Sequence, residues 1–262
     1  MLRLIAAYDR TLRRSFAALE SLHTGVLLGL LRAGALERMT QLSYRRRGLY
    51  LEPGYNASGL FDWERDAISR HFHAGSHLLL AGCGGGRELL PLARDGFVVD
   101  AFDPNADYVA VSRRTLQQEL LPGTILQAEP NTIPEDFAGP YQGFVLGWLM
   151  YAHIVGRDQR IAFLRSLRLR ATTGAPLLLS FWARRASSRR ERMQHAVALT
   201  TARLSFNPRS PEFGDDLNQQ AFVHWFDEAG IASELREAGF QPISYAATPF
   251  GHVVAIAADP TD

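Results

Sequence analysis

The stretch Leu78-Leu79-Leu80-Ala81-Gly82-Cys83-Gly84-Gly85-Gly86-Arg87-Glu88 decides the fold. The run from His77 to Ala81 is apolar and ends in glycines, as a strand buried on both faces does. Glycines allow a tight turn and let a ligand approach the backbone. Glu88 to Arg94 then reads as a helix, whose free first amides can meet a polar or anionic group. The same alternation continues downstream. Phe97–Phe102, Thr124–Ala128, Gly143–Leu149 and Ala175–Trp182 read as strands, and Tyr108–Leu121 and Asp158–Arg170 as helices. Short connections between alternating strands and helices mean a parallel sheet covered on both faces.

Upstream, residues 1–43 carry Leu4, Tyr8, Leu12, Phe16, Leu19 and Leu22 at helical spacing. Arg3, Arg10, Arg13 and Arg14 lie mostly off that stripe. Gly25, Gly29 and Gly34 suggest two helices joined by a turn. So long a stripe must cover something: the main domain, a substrate pocket, or a second copy in a homodimer. Residues 44–60 are loop-like and rich in aromatics, and Leu60 to Phe72 is helical again. His71, His73 and His77 have no carboxylate spacing to support a metal, and none is expected. Downstream, residues 183–221 interrupt the alternation with Arg184, Arg185, Arg189, Arg190 and Arg192, then turn residues. Residues 226–239 read as helix, followed by strands at Pro242–Ala247 and His252–Ala257. The division is a helical extension over 1–60 and a main domain over 61–262 carrying the 183–221 insertion.

Composition narrows the function. The 262 residues carry a net charge of +1, so no global field attracts nucleic acid or an anionic membrane. Every basic residue is arginine; without lysine there is no Walker A loop, Schiff base or kinase lysine. The single cysteine, Cys83, permits no intrachain disulfide and suits a cytoplasmic location. The apolar run Val26–Leu31 is too short to cross a bilayer.

Glycine spacing separates two nucleoside cofactors. A dinucleotide loop needs G-x-G-x-x-G, but the third glycine would fall on Arg87 or Leu89. The pattern present is Gly82-x-Gly84-x-Gly86. Asp103 ends the second strand, where a carboxylate can accept from both ribose hydroxyls. At these residues the chain resembles the class I S-adenosylmethionine-dependent methyltransferases. Glu129, five residues before Pro134, and Leu146-Gly147-Trp148 at the end of the fourth strand extend the likeness. So does Phe222-Val223-His224-Trp225-Phe226 to Gly239-Phe240, similar to the family's late helix leading into its final hairpin. Two departures stand out. The acid usual two residues before the first glycine is Leu80, leaving Arg87 or Glu88 to share its work, and the acid that commonly opens the fourth strand is Gly143.

The resemblance implies an α/β, three-layer Rossmann-like sheet of seven strands, the last antiparallel. It also implies S-adenosylmethionine as cofactor, held by Gly82, Cys83, Gly84, Gly86, Asp103, Pro104, Glu129, Gly147 and Trp148. The expected function is methyl transfer to the oxygen or nitrogen of a small apolar or aromatic acceptor. Aromatic residues would line its pocket, with Tyr55, Tyr151 and Trp182 as the leading candidates. A base, where needed, is His153 or His224, because imidazole titrates near neutrality. A cofactor-binding protein acting through a partner and a nicotinamide oxidoreductase remain alternatives.

Overall fold

The computed structural model describes residues 1–184 and 187–258, with residues 2–7 and 10 described by their backbone alone. Arg185 and the side chains of Arg3, Leu4 and Arg10 lie outside the described residues. Four helices precede the sheet: α1 (Leu2–Leu30), α2 (Ala33–Arg45), α3 (Pro53–Asn56) and α4 (Asp62–His71), with a 3-10 turn at Gly48–Leu51. The sheet opens with β1 (His77–Ala81), followed by α5 (Leu89–Arg94), β2 (Val98–Asp103), α6 (Ala106–Gln118), β3 (Ile125–Gln127) and β4 (Gly143–Leu146). Then come α7 (Arg157–Arg168), β5 (Pro176–Ala183), α8 (Arg189–Leu204), β6 (Asp215–Asn218), β7 (Ala221–Phe226), α9 (Glu228–Glu237), β8 (Phe240–Ala246) and β9 (Gly251–Ala257).

Strands β1 to β5 pair in parallel in the order β3-β2-β1-β4-β5. β9 runs antiparallel between β5 and β8 and completes the expected seven-stranded core. The helices seal both faces. Leu79, Phe144, Leu177 and Leu179 pack under α7 and α9, while Leu78, Leu80, Val145 and Leu178 pack on the α4–α6 side. This alternation between two faces is the strand period of two, and both faces bury apolar side chains. Gly143, the departure at the start of β4, has a packing reason. A Cβ there would sit 2.9 Å from the Phe72 ring and 2.8 Å from Leu78.

Phe222–Phe226, expected to lead a helix, forms β7 instead. It pairs with β6 as a hairpin and runs parallel to the end of β5, with Trp182 opposite Trp225. Three aromatics and a valine in five residues favour a pleated, buried surface. Thr40 on α2 fixes this strand by accepting from the Phe222 amide at 2.9 Å. The helix begins after Asp227, whose side chain accepts from the Gly230 amide.

The N-terminal glycines also behave differently from expectation. α1 runs unbroken through Gly25 and Gly29, and the break comes at Leu31 and Arg32. These two glycines let α8 come close: a Cβ at Gly29 would lie 2.5 Å from the Ala198 carbonyl, and one at Gly25 2.6 Å from that of Gln194. Of the large apolar residues of α1, Leu28 packs against Val155, Ala198 and Phe222, whereas Tyr8, Phe16 and Leu19 are exposed.

Candidate active site

The carboxyl ends of β1 to β4 converge on one cleft, about 1170 Å³ of empty space with its mouth included. In open α/β sheets ligands bind at this edge. The floor is the glycine loop. The Gly82 and Cys83 amides donate to the Phe102 carbonyl at 2.8 and 3.1 Å, tying the loop to β2. Gly84 has φ +52 and Gly82 φ +71, a region that β-carbons disfavour. The cover comes from the N-terminal extension: Glu37, Gln41 and Tyr44 on α2, Tyr50 in the 3-10 turn, and Tyr55 on α3. The closest approach is at Gly85, where a Cβ would meet the Tyr50 carbonyl at 1.9 Å.

Asp103 stands at the end of β2, nearly fully buried. One of its oxygens accepts from the Gly84 amide at 2.9 Å and the other from the Asn105 amide at 2.8 Å. It is not the cap of α6; Asn105 is, accepting from the Asp107 amide. Burial lifts the Asp103 carboxyl to a pKa of about 6, against the pull of its two backbone donors. Each oxygen keeps a lone pair for a further donor. Beyond β3, the turn Glu129-Pro130-Asn131 forms the adjoining wall.

A buried charge cluster occupies the opposite end. Arg87 binds Glu64 through two bonds of 2.7 Å and also donates to Glu88. It lies 4.1 Å from the Phe61 ring centroid and donates to the Gly59 carbonyl at 2.9 Å. One guanidinium between two carboxylates leaves a net negative charge. Glu88 brings that charge to the cleft, where it also accepts from the Trp148 amide at 3.0 Å. Leu80, in the place of the family's usual acid, is fully buried in the core.

His153 lies in the cleft, in the 3-10 turn Met150–His153 that follows β4. Its Nδ1 donates to the Phe222 carbonyl at 2.6 Å, which leaves Nε2 as an acceptor. The Tyr44 hydroxyl donates to that Nε2 at 2.7 Å. Burial depresses the imidazole pKa to about 4, so the ring is neutral at physiological pH. Tyr44 also packs with Tyr50, which contacts Tyr55 and Tyr108. The Tyr108 hydroxyl anchors this group by donating to the Tyr44 carbonyl at 2.6 Å.

Gly82, Cys83, Gly84, Asp103, Pro104, Glu129, Trp148, Tyr55 and His153 all line the cleft. Burial raises the Cys83 thiol well above its usual pKa, so it packs and is no nucleophile. Gly86 and Gly147 stand just behind the lining. Gly86 faces Ser112 on α6, and Gly147 presses on the loop, its added Cβ 2.1 Å from the Gly82 carbonyl. Three candidates lie elsewhere. The Tyr151 hydroxyl donates to Glu234 in the core, where Arg160 also binds Glu234 and Glu212. Trp182 packs against Trp225 at the β5–β7 junction, with ring centroids 5.2 Å apart. His224 is buried against Asp215, which Arg209 holds from the other side. His224 lines a separate hollow with Gly230 and Glu234 of α9. No residue of 183–221 lines the cleft among the described residues. Tyr44, Glu37 and Gln41 are not legible in the sequence, because their helix comes about 40 residues before the glycine loop with no motif of its own.

The sheet order and the covered glycine loop can be compared with known structures. One is an S-adenosylmethionine-dependent methyltransferase from Methanosarcina mazei, at 15% identity and TM-score 0.60, covering 76% of this chain and 99% of that one. The fold is that of the S-adenosylmethionine-dependent methyltransferases. A second neighbour is the Burkholderia thailandensis 1,6-didemethyltoxoflavin-N1-methyltransferase, solved with 1,6-didemethyltoxoflavin and S-adenosylhomocysteine. It is 15% identical at TM-score 0.55, covering 74% of this chain and 76% of that one. A third is the cyclase SpnF, 12% identical at TM-score 0.56, covering 87% and 96% of the two chains. No family model and no curated sequence matches this chain.

Proposed function

We propose that the cleft binds S-adenosylmethionine and that the protein transfers its methyl group to the oxygen or nitrogen of a small apolar or aromatic acceptor. The observation that carries this reading is the surplus of carboxylates. Four acids line the cleft, Glu37, Glu88, Asp103 and Glu129, against Arg45 and Arg87. Arg87 is already held by Glu64. Such a lining suits a ligand with ammonium and sulfonium charges and repels the diphosphate of a nicotinamide dinucleotide.

The residues fit the cofactor part by part. Asp103 would accept from the ribose hydroxyls, and Glu88 from the ammonium. The Tyr55 hydroxyl and the Trp148 indole N–H are buried without a partner in the cleft wall, and both can donate to a carboxylate. The bound cofactor supplies a methyl group already activated on sulfur. The chain's own work is alignment and exclusion of water, which α2, Tyr50 and Tyr55 perform from above. Tyr44 and His153 act as one unit. Neutral His153 orients the Tyr44 hydroxyl and receives the acceptor's proton through it. Loss of a positive charge from the cleft during transfer lets the imidazole take that proton without raising the net charge of the site.

A panel of phenols, heteroaromatic amines and aliphatic alcohols, assayed for S-adenosylhomocysteine release, tests this reading. An aromatic acceptor is expected to turn over. Tight adenosyl binding with no turnover on any class would favour a cofactor-binding protein that works through a partner.

A further inference from the structure

Helix α1 presents two different faces. At 3.6 residues per turn, Ser21, Thr24, Gly25, Leu28 and Gly29 lie on one side, and all five are buried against the body of the protein. Tyr8, Leu12, Phe16, Leu19 and Leu22 fall within about 120° of arc on the other side. Their exposures are 69, 40, 64, 61 and 46%. A contiguous row of large apolar side chains in water marks an interaction surface. Small residues and Leu28 dock α1 on its own chain, and the large residues of the other face take no part.

We propose that this stripe pairs with the same stripe of a second copy, antiparallel about a twofold axis near Phe16. In that register Phe16 faces Phe16 of the second copy, Leu12 lies beside its Leu19, and Tyr8 beside its Leu22. The pairs fall level to within about 3 Å along the axis at 1.5 Å per residue. Charge supports this occupant. Arg13 and Glu20 share one flank of the stripe, and a twofold axis brings like flanks together, so Arg13 of each copy opposes Glu20 of the other. Their present partners, Asp9 and Arg190, form exposed bridges that cost little to rearrange. The opposite flank, Thr11 and Ala18, bears no charge, and Ser15 and His23 are the polar residues inside the arc. A helix built for an anionic bilayer carries cationic flanks instead. The contact is isologous and closes as a dimer.

Cys83 is buried, so a cysteine added to α1 is the only exposed thiol. Under mild oxidation Phe16→Cys should form disulfide-linked dimers, while Ala18→Cys, exposed on the uncharged flank, should not. Light scattering of the unaltered chain should give twice 29.2 kDa. The triple change Leu12→Glu, Phe16→Glu and Leu19→Glu should give one copy with an unchanged circular dichroism spectrum. A monomer at tens of micromolar would overturn the proposal, as would equal cross-linking at both positions. So would a monomer that sediments with phosphatidylcholine–phosphatidylglycerol vesicles, because the stripe would then belong to a lipid surface.

Discussion

Asp103 carries the clearest single-residue consequence. Asp103→Ala should weaken S-adenosylmethionine binding by about 1.5–3 kcal/mol, the worth of charge-assisted hydrogen bonds. Asp103→Asn should lose less, since one acceptor oxygen remains. The carboxyl, raised to about 6, must be ionised to accept from both hydroxyls. Binding should therefore weaken as pH falls through that value, by about tenfold between pH 7 and pH 5. Titration calorimetry across this range checks it, and a flat profile would remove Asp103 from the ribose. At the other end of the cleft, His153→Ala should cut turnover by about 10²–10⁴ while sparing cofactor affinity. Tyr44→Phe should do the same, and the double variant should be no slower than either alone, because Tyr44 and His153 form one hydrogen-bonded unit. Multiplying losses would mean that they act separately. Asp103 and His153 are legible in the sequence because each follows or ends a strand. The Tyr44 half of the unit is not, since its role depends on how α2 crosses the sheet edge.

Among the elements, the segments around the sheet divide their labour unevenly. The cleft is covered by α2, the 3-10 turn and α3, while α8 and the β6–β7 hairpin brace α1 and α2 from behind. Hydrogen exchange with S-adenosylhomocysteine should accordingly slow over residues 37–56 and leave 189–204 unchanged. Equal exchange with and without ligand would make the cover static. Beneath the hairpin, Arg160 is fully buried between Glu234 and Glu212. Arg160→Met should cost about 3–5 kcal/mol in denaturant unfolding, because it strands a buried carboxylate. The seven core strands are readable from apolar runs ended by glycine or a polar residue, and they fall within a few residues of expectation. β7 is not, because Phe222–Phe226 is as apolar as a buried helix turn and only its partners, β5 and β6, decide the matter. The packing of α1 is hidden for a related reason. Helical spacing locates a stripe but does not say which face an adjoining helix will take, and Gly25 and Gly29 give that contact to the opposite side.

For the whole molecule, the fold places four strand ends and a helical cover around one anionic cleft, and the residues there suit a cationic nucleoside. The glycine spacing and Asp103 point to this ligand from the sequence alone, since both are backbone requirements written locally. The carboxylate cluster of Glu64, Arg87 and Glu88 is visible only in three dimensions, because Glu64 sits on α4, before the sheet begins. A fold shared with a cyclase as well as with methyltransferases leaves the reaction to the residues of the cleft. The most direct test is therefore of the ligand itself. In titration calorimetry the protein should bind S-adenosylmethionine and S-adenosylhomocysteine at one site per chain, with Glu88→Gln weakening both, and it should give no heat with NADH. Saturable NADH binding without any adenosyl ligand binding would contradict the account.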